Sequence, residues 1–223
     1  MNKFSFIKKL HLHLFLESSL PSHSLHNLYS LEELIITECP KLQSCPIKYL
    51  PSELRRLTIE NCMELTSVVG LQSLNSLEVL VLRNCPVQKF SQNKHLPSSL
   101  HSLTVTDCKS LRSLPLLHCH NSQLGQEKPQ QSMLQNVHVS GCWKLIVLAG
   151  MQNLKLLKSL ELKRCPFLEI RPDECLPCRP THVEIIDCPK LREWCEGHQF
   201  ECTLVYFLYL KAFIPSATCW VIM

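Results

Sequence analysis

The sequence predicts an α/β repeat solenoid, and three observations predict it. A frame reading L-x-x-L-x-[ILV]-x-x-C recurs along the chain. Its cysteines stand 23, 23, 23, 34, 23 and 23 residues apart. Within each frame, polar and apolar residues alternate, as in Arg56-Leu57-Thr58-Ile59-Glu60. Alternation of period two places Leu57 and Ile59 on one face of a short strand, and Arg56, Thr58 and Glu60 on the other. One such strand cannot bury its apolar face alone. Repetition at a fixed step lets neighbours stack into a parallel sheet with a continuous core behind it.

The units run in order as follows. The first four are Leu31/Leu34/Ile36/Cys39, Leu54/Leu57/Ile59/Cys62, Leu77/Leu80/Leu82/Cys85 and Leu100/Leu103/Val105/Cys108. Then come Leu134/Val137/Val139/Cys142 and Leu157/Leu160/Leu162/Cys165. A seventh, Val183/Ile185/Cys188, has Pro180 in the place of its first leucine. A degenerate unit precedes them all, Ile7/Leu10/Leu12 with Phe15 in the cysteine slot. A leucine frame with a period of about 20 to 29 residues is the signature of a leucine-rich repeat, with a parallel sheet on the concave side of a horseshoe or arc. The convex segments are expected to be irregular or short helices. Cysteine suits the inward turn after each strand, being small, readily buried and a weak donor. The leucines that follow (Leu42, Leu65, Leu111, Leu145, Leu168 and Leu191) close the core on the far side, whereas Cys85 is followed by Val87 and Gln88.

A longer recurrence overlies the short one. Cys62, Cys85 and Cys108 return 80 residues later as Cys142, Cys165 and Cys188, and Gly70 returns as Gly150. Three units therefore look duplicated as a block. The single 34-residue step holds a polar insert over 118–132, expected as an exposed loop. The domain organisation that results is a repeat domain over 1–198, of seven or eight units, followed by an apolar tail or cap over 199–223.

Composition removes several functional classes. With 45% hydrophobic residues and only 5 glycines the chain is neither disordered nor collagen-like. A net charge of +4, without a dense basic run, gives no footprint for nucleic acid. Seven of the 14 cysteines belong to the repeat frame and need no disulfide, and no N-x-[ST] acceptor occurs. Lysines and histidines interrupt the apolar start, so a signal peptide is not expected there. A reduced cytoplasmic or nucleocytoplasmic setting is expected. The tail's apolar run, Cys202 to Leu210, is far shorter than the ~20 residues of a membrane-spanning helix.

Motifs for chemistry dissolve once the repeat phase is known. Cys175-x-x-Cys178, with His182, Cys188, Cys195 and His198 downstream, has the residue types of a zinc site. However, Leu176-Pro177-Cys178 falls in register with Leu50-Pro51-Ser52 and Leu96-Pro97-Ser98, and Cys188 is a frame residue. His118, Cys119 and His120 fall in the insert and are expected to be solvated. His182-x-Glu184 has the spacing of a deaminase fragment but in the wrong order. No phosphate-binding loop, zinc-protease helix, nucleophile elbow or dinucleotide fingerprint is present. No catalytic residue, cofactor or metal is predicted, and the chain is not expected to be an enzyme.

Cys-Pro-x-Leu endings ("CPKLQSCP", "CPFLEI", "CPKLREW") and "LPSEL" and "LPSSL" entries occur together over residues 20–198. In these the chain closely resembles the leucine-rich-repeat region of plant nucleotide-binding disease-resistance proteins. That resemblance implies a plant defence role: recognition of a pathogen effector or a host protein, and restraint of a nucleotide-binding module. Nucleotide binding itself is not carried over, because the phosphate-binding loop is missing from these residues. An F-box-type adaptor of a ubiquitin ligase is the alternative, though its usual C-x-x-[IL]-[ST]-D pattern is absent. An extracellular receptor would show L-x-G-x-I-P, also absent. A truncated repeat fragment without independent activity fits the same residues.

The frame also predicts where a protein partner would bind. Outward positions form three columns, beginning at Glu33, Ile35 and Thr37 and ending at His182, Glu184 and Ile186. Recognition is expected to centre on Arg56, Thr58, Val79, Val81, Arg83 and Thr104, or further along on His138, Glu161, Lys163 and Glu184. Exposed Ile35, Val79, Val81 and Ile186 among mixed charges suit a protein better than an anionic polymer.

Overall fold

The structure, a computed structural model, describes residues 6–20, 25–88, 96–116, 132–170, 176–177, 180–197 and 205–208. The Cys175/Cys178 pair, His198, residues 118–131 of the insert and most of the tail lie outside them.

Each repeat frame forms a five-residue strand. In chain order these are β1 (Lys9–His13), β2 (Glu33–Thr37), β4 (Arg56–Glu60), β6 (Val79–Arg83), β7 (Ser102–Thr106), β9 (Asn136–Ser140), β11 (Ser159–Lys163) and β12 (His182–Ile186). They pair in parallel in that order, and β13 (Val205–Leu208) adds a ninth strand beside β12. β13 belongs to the segment expected as a tail, and its backbone continues the sheet. The register is strict, with Leu57 opposite Leu34 and Leu80, and Ile59 opposite Ile36 and Leu82. The insert does not disturb it. Leu103 pairs with Val137 as if the step were the usual one.

The return segments differ from those expected of an α/β repeat. They carry three-residue strands, β3 (Ser44–Pro46), β5 (Ser67–Val69), β8 (Ser113–Pro115) and β10 (Val147–Ala149), which pair as β3–β5 and β8–β10. They also carry 3-10 turns at Ile47–Tyr49, Leu71–Ser73 and Met151–Asn153. Helix α1 (Pro189–Gly197) follows β12 at the C-terminal end. The molecule is thus a parallel-sheet β-solenoid. A step of 23 residues gives the return path room for a short strand and a 3-10 turn, where a regular helix would need about 10 residues of its own. No described helix is long and apolar enough to cross a membrane.

The core is the row of inward frame residues. Leu34, Leu57, Leu80, Leu103 and Leu160 are each fully buried, as are Leu42, Leu65, Leu111, Leu145, Leu168 and Leu191 on the far side. The first coil is the exception: Ile7, Leu10, Leu12 and Phe15 are only partly buried.

The duplicated block is visible in the backbone. Gly70 (φ 92°) and Gly150 (φ 87°) are both left-handed and both open a 3-10 turn, a conformation that glycine adopts without steric cost.

A second seam runs beside the sheet. The residue between each strand and its cysteine has a positive φ: Leu14, Glu38, Asn61, Asn84, Asp107, Gly141, Arg164 and Asp187. In this conformation its N–H points along the solenoid to the last carbonyl of the next strand. Asn61 donates to Arg83 at 3.0 Å, Asn84 to Thr106 at 2.8 Å, Asp107 to Ser140 at 2.8 Å and Arg164 to Ile186 at 2.8 Å. At these positions the turn therefore leaves no orphan donor. Asn and Asp occupy four of these eight positions, the residues other than glycine that tolerate the left-handed region best. Gly141 takes the same conformation with the least room for a side chain. It has φ +64°, and a Cβ there would lie 2.0 Å from the Asp107 carboxylate.

The frame cysteines complete the turn. Cys85 Sγ donates to the carbonyl of Arg83 at 3.2 Å, Cys165 to Lys163 at 3.3 Å and Cys188 to Ile186 at 3.4 Å. Burial pushes the Cys108 thiol up to about 11 and the Cys45 thiol up to about 12. Cys142 and Cys188 are raised too, first by the neighbouring Cys165 sulfur between them and then by burial. Such thiols are protonated donors at neutral pH, with little reactivity.

Candidate functional site

The outward face of the sheet carries the candidate residues, and the register sorts them into columns. The first is Lys9, Glu33, Arg56, Val79, Ser102, Asn136, Ser159 and His182. The second runs His11, Ile35, Thr58, Val81, Thr104, His138, Glu161 and Glu184. The third runs His13, Thr37, Glu60, Arg83, Thr106, Ser140, Lys163 and Ile186. These are the expected columns, extended by one coil at the N-terminal end.

Two details depart from expectation. Ile35, Val79, Val81 and Ile186 are half-buried, not exposed. Neighbouring strands lie about 4.8 Å apart, so same-face side chains shield one another's flanks and leave mainly their tips to solvent. Ser140 points into the third column but is buried, with 4% exposure. The Arg164 guanidinium reaches its hydroxyl at 3.3 Å and covers it.

The middle of the face, β4 to β7, is largely uncharged. Val79 lies between Arg56 and Ser102, and Val81 between Thr58 and Thr104. Arg83 is tied to Glu60 at 2.6 Å. Arg56 is exposed and, among the described residues, makes no ion pair. Half-buried valines beside an exposed guanidinium without an ionic partner among the described residues have the composition of an interface centre, where arginine is enriched and other charged residues are depleted.

Further along, β9 to β12 form a closed charge network. His138 Nδ1 stands 2.9 Å from Glu161 Oε2, and Lys163 Nζ lies 3.0 Å from the same oxygen. Lys163 Nζ also reaches Glu184 Oε2 at 2.7 Å, and His182 Nε2 is 3.9 Å from that oxygen. Burial alone would push the Glu161 carboxyl up. Its hydrogen bonds with Lys163 and His138 outweigh that and hold it below the usual carboxylate range. The hydrogen bond to Glu184 holds Lys163 above its ordinary value against partial burial, with Glu161 adding to it.

A rim stripe of ion pairs flanks the first column. Lys8 meets Glu32 at 2.8 Å and Arg55 meets Glu78 at 2.6 Å, both largely exposed and therefore screened by solvent. All ten predicted partner-binding residues lie on the outward face, but in two groups: Arg56, Thr58, Val79, Val81, Arg83 and Thr104 in one, His138, Glu161, Lys163 and Glu184 in the other. Sequence reasoning missed that the second group satisfies itself. The signal was present, since register places Glu161 directly between His138 and Glu184.

No protein-family model matches the chain, and no curated protein matches it. Among solved structures it is similar to the leucine-rich repeat domain of the type III effector XopL, with 20% identity over 74% of this chain and 71% of that one, at a TM-score of 0.38. The repeat assignment itself stands on the frame, the register and the buried core.

Proposed function

We propose that the chain is the protein-recognition part of an intracellular plant immune receptor of the nucleotide-binding leucine-rich-repeat class. In this reading it works in the cytoplasm or nucleus. It senses a pathogen effector or an altered host protein on its concave sheet, and it restrains a nucleotide-binding module until it does. Its role is binding, without catalysis and without a nucleotide site of its own.

The observation that carries the reading is the middle of the outward face. Val79 and Val81 stand half-buried in register with Arg56, Thr58 and Thr104, and the guanidinium of Arg56 has no ionic partner among the described residues. An anionic polymer would want a field of one sign, whereas this mixture suits a folded protein. The finer identity is supported by the Cys-Pro-x-Leu endings and the Leu-Pro-Ser-x-Leu entries.

The test is co-precipitation of the chain with a nucleotide-binding module from a receptor of this class, expressed separately. Arg56→Glu and Val81→Lys are expected to abolish association while circular dichroism stays native. Charge reversal at Arg83 and Glu161 should weaken it or release restraint of the module's nucleotide hydrolysis. If substitutions across all three columns leave association unchanged, recognition does not use the concave sheet and the proposal fails.

A further inference from the structure

Adjacent strands gather metal-ligating side chains at one point on the outward face. β12 contributes His182 and Glu184, two residues apart and therefore on the same side. β11 contributes Glu161, directly in register with Glu184, and β9 contributes His138, in register with Glu161. One ligand atom each from Glu161, His182 and Glu184 lies within 4.8 Å of the others. Small side-chain rotations would bring three such atoms to the ~2.0–2.2 Å bonds of a zinc-class ion.

We propose that Glu161, His182 and Glu184 form a site for a zinc-class divalent cation, with Lys163 as its internal competitor. Lys163 Nζ stands 2.7 Å from Glu184 Oε2 and 3.0 Å from Glu161 Oε2, so an ammonium group sits where the two carboxylates converge. The point already holds a cation. Lysine rides on a flexible four-carbon stem and can swing to solvent, leaving both carboxylates to an arriving ion. The imidazole decides the class of metal. Calcium and magnesium favour oxygen ligands throughout, whereas one imidazole with two carboxylates suits zinc and its neighbours. His138, 2.9 Å from Glu161 Oε2, supplies the outer hydrogen bond that fixes a ligating carboxylate. The remaining coordination positions open onto the outward face of the sheet, available to water or to a side chain of a bound protein. This site goes beyond the recognition role and does not depend on it.

The experiment uses the full chain with its accessible thiols blocked by N-ethylmaleimide, so that cysteines do not take the ion. Zinc chloride is titrated in by calorimetry. One equivalent is expected to bind. It should be lost in the Glu161→Gln/Glu184→Gln double variant and weakened in His182→Gln. Lys163→Gln should bind about tenfold tighter, equivalent to ~1.4 kcal/mol, because the competing ammonium is gone. Calcium chloride should give no comparable heat. A merely structural role for Lys163 would not produce tighter binding when it is removed. An equivalent that survives the double variant, or a Lys163→Gln protein that binds zinc no better than the native chain, overturns the site. All variants are outward-facing, and each is checked for native circular dichroism before titration.

Discussion

The two halves of the outward face share one backbone and differ in what their charges do. From β9 to β12, Glu161, Lys163, Glu184 and His138 are tied to one another through contacts of 2.7 to 3.0 Å. From β4 to β7, Val79 and Val81 interrupt the charged columns, and Arg56 makes no ion pair among the described residues. A satisfied network must be broken before it can bind anything new, whereas an unpaired arginine beside apolar surface gains from a partner at once. Residue type alone would rank the charge-rich half first. Pairing reverses the order for a protein ligand and leaves the charge-rich half better suited to an ion.

The comparison assumes one rigid scaffold under both halves, and this is where the largest effect lies. Leu80→Ala beneath the middle and Leu160→Ala beneath the network, both fully buried, should each cost about 2–5 kcal/mol in denaturant unfolding. A much smaller loss at either position would mean that the two halves do not share a core.

Alkaline titration probes two buried thiols, Cys108 in the repeat row and Cys45 in the return strand β3. An unfolded thiol ionises near ~8.5. The buried Cys108 and Cys45 thiols are pushed up to about 11 and about 12. The native state therefore keeps protons that the unfolded state has lost. This contribution to stability is whole below the unfolded value and falls as pH rises through the window up to about 11 or 12, by up to ~1.4 kcal/mol per pH unit for each such thiol. Unfolding midpoints followed between neutral pH and about pH 10 should decline. Unchanged midpoints would show that the thiols are not held protonated by burial.

Smaller effects separate the halves themselves. Glu161→Lys places a like charge beside Lys163 and removes the partner of His138, at an expected ~1–2 kcal/mol, between the limits for exposed and buried pairs. Arg56→Glu should change stability by no more than about 0.5 kcal/mol, as for an ordinary surface position, yet weaken partner binding about tenfold or more. Should Glu161→Lys prove neutral and Arg56→Glu destabilise the fold, the assignment of paired and unpaired halves is reversed.

Much of this was legible in the sequence for a physical reason. Side-chain alternation has period two and the repeat has a fixed step, so Leu57, Leu80 and Leu103 could be aligned by counting. The outward columns followed by the same arithmetic. What counting could not give was anything set by side-chain reach across coils. The burial of Ser140 depends on Arg164 arriving from the next coil. The pairing of Lys163 with both glutamates depends on rotamers. The return path could not be deduced either, since three-residue strands such as Val147–Ala149 have no periodicity long enough to distinguish them from irregular chain. The left-handed turn lay between these cases. Asn61, Asn84, Asp107, Gly141 and Asp187 hint at it, but Glu38 and Arg164 share the conformation without sharing the propensity.

That turn also gives the solenoid a direction. At the seven joints from Leu14 to Arg164 the left-handed residue of one coil gives its N–H to the closing carbonyl of the next, so each of these coils has a donating side and an accepting side of the same form. Because the joint is formed by backbone, it does not depend on which residues the coil displays outward. A coil can follow any other coil, and a block of three can be copied in without redesigning its seams, as Gly70 and Gly150 show by opening equivalent turns in the two copies. Length and displayed surface are thereby separated from the device that holds the stack together. A chain built this way can lengthen its recognition face, or exchange part of it, by moving whole units while every joint stays the same.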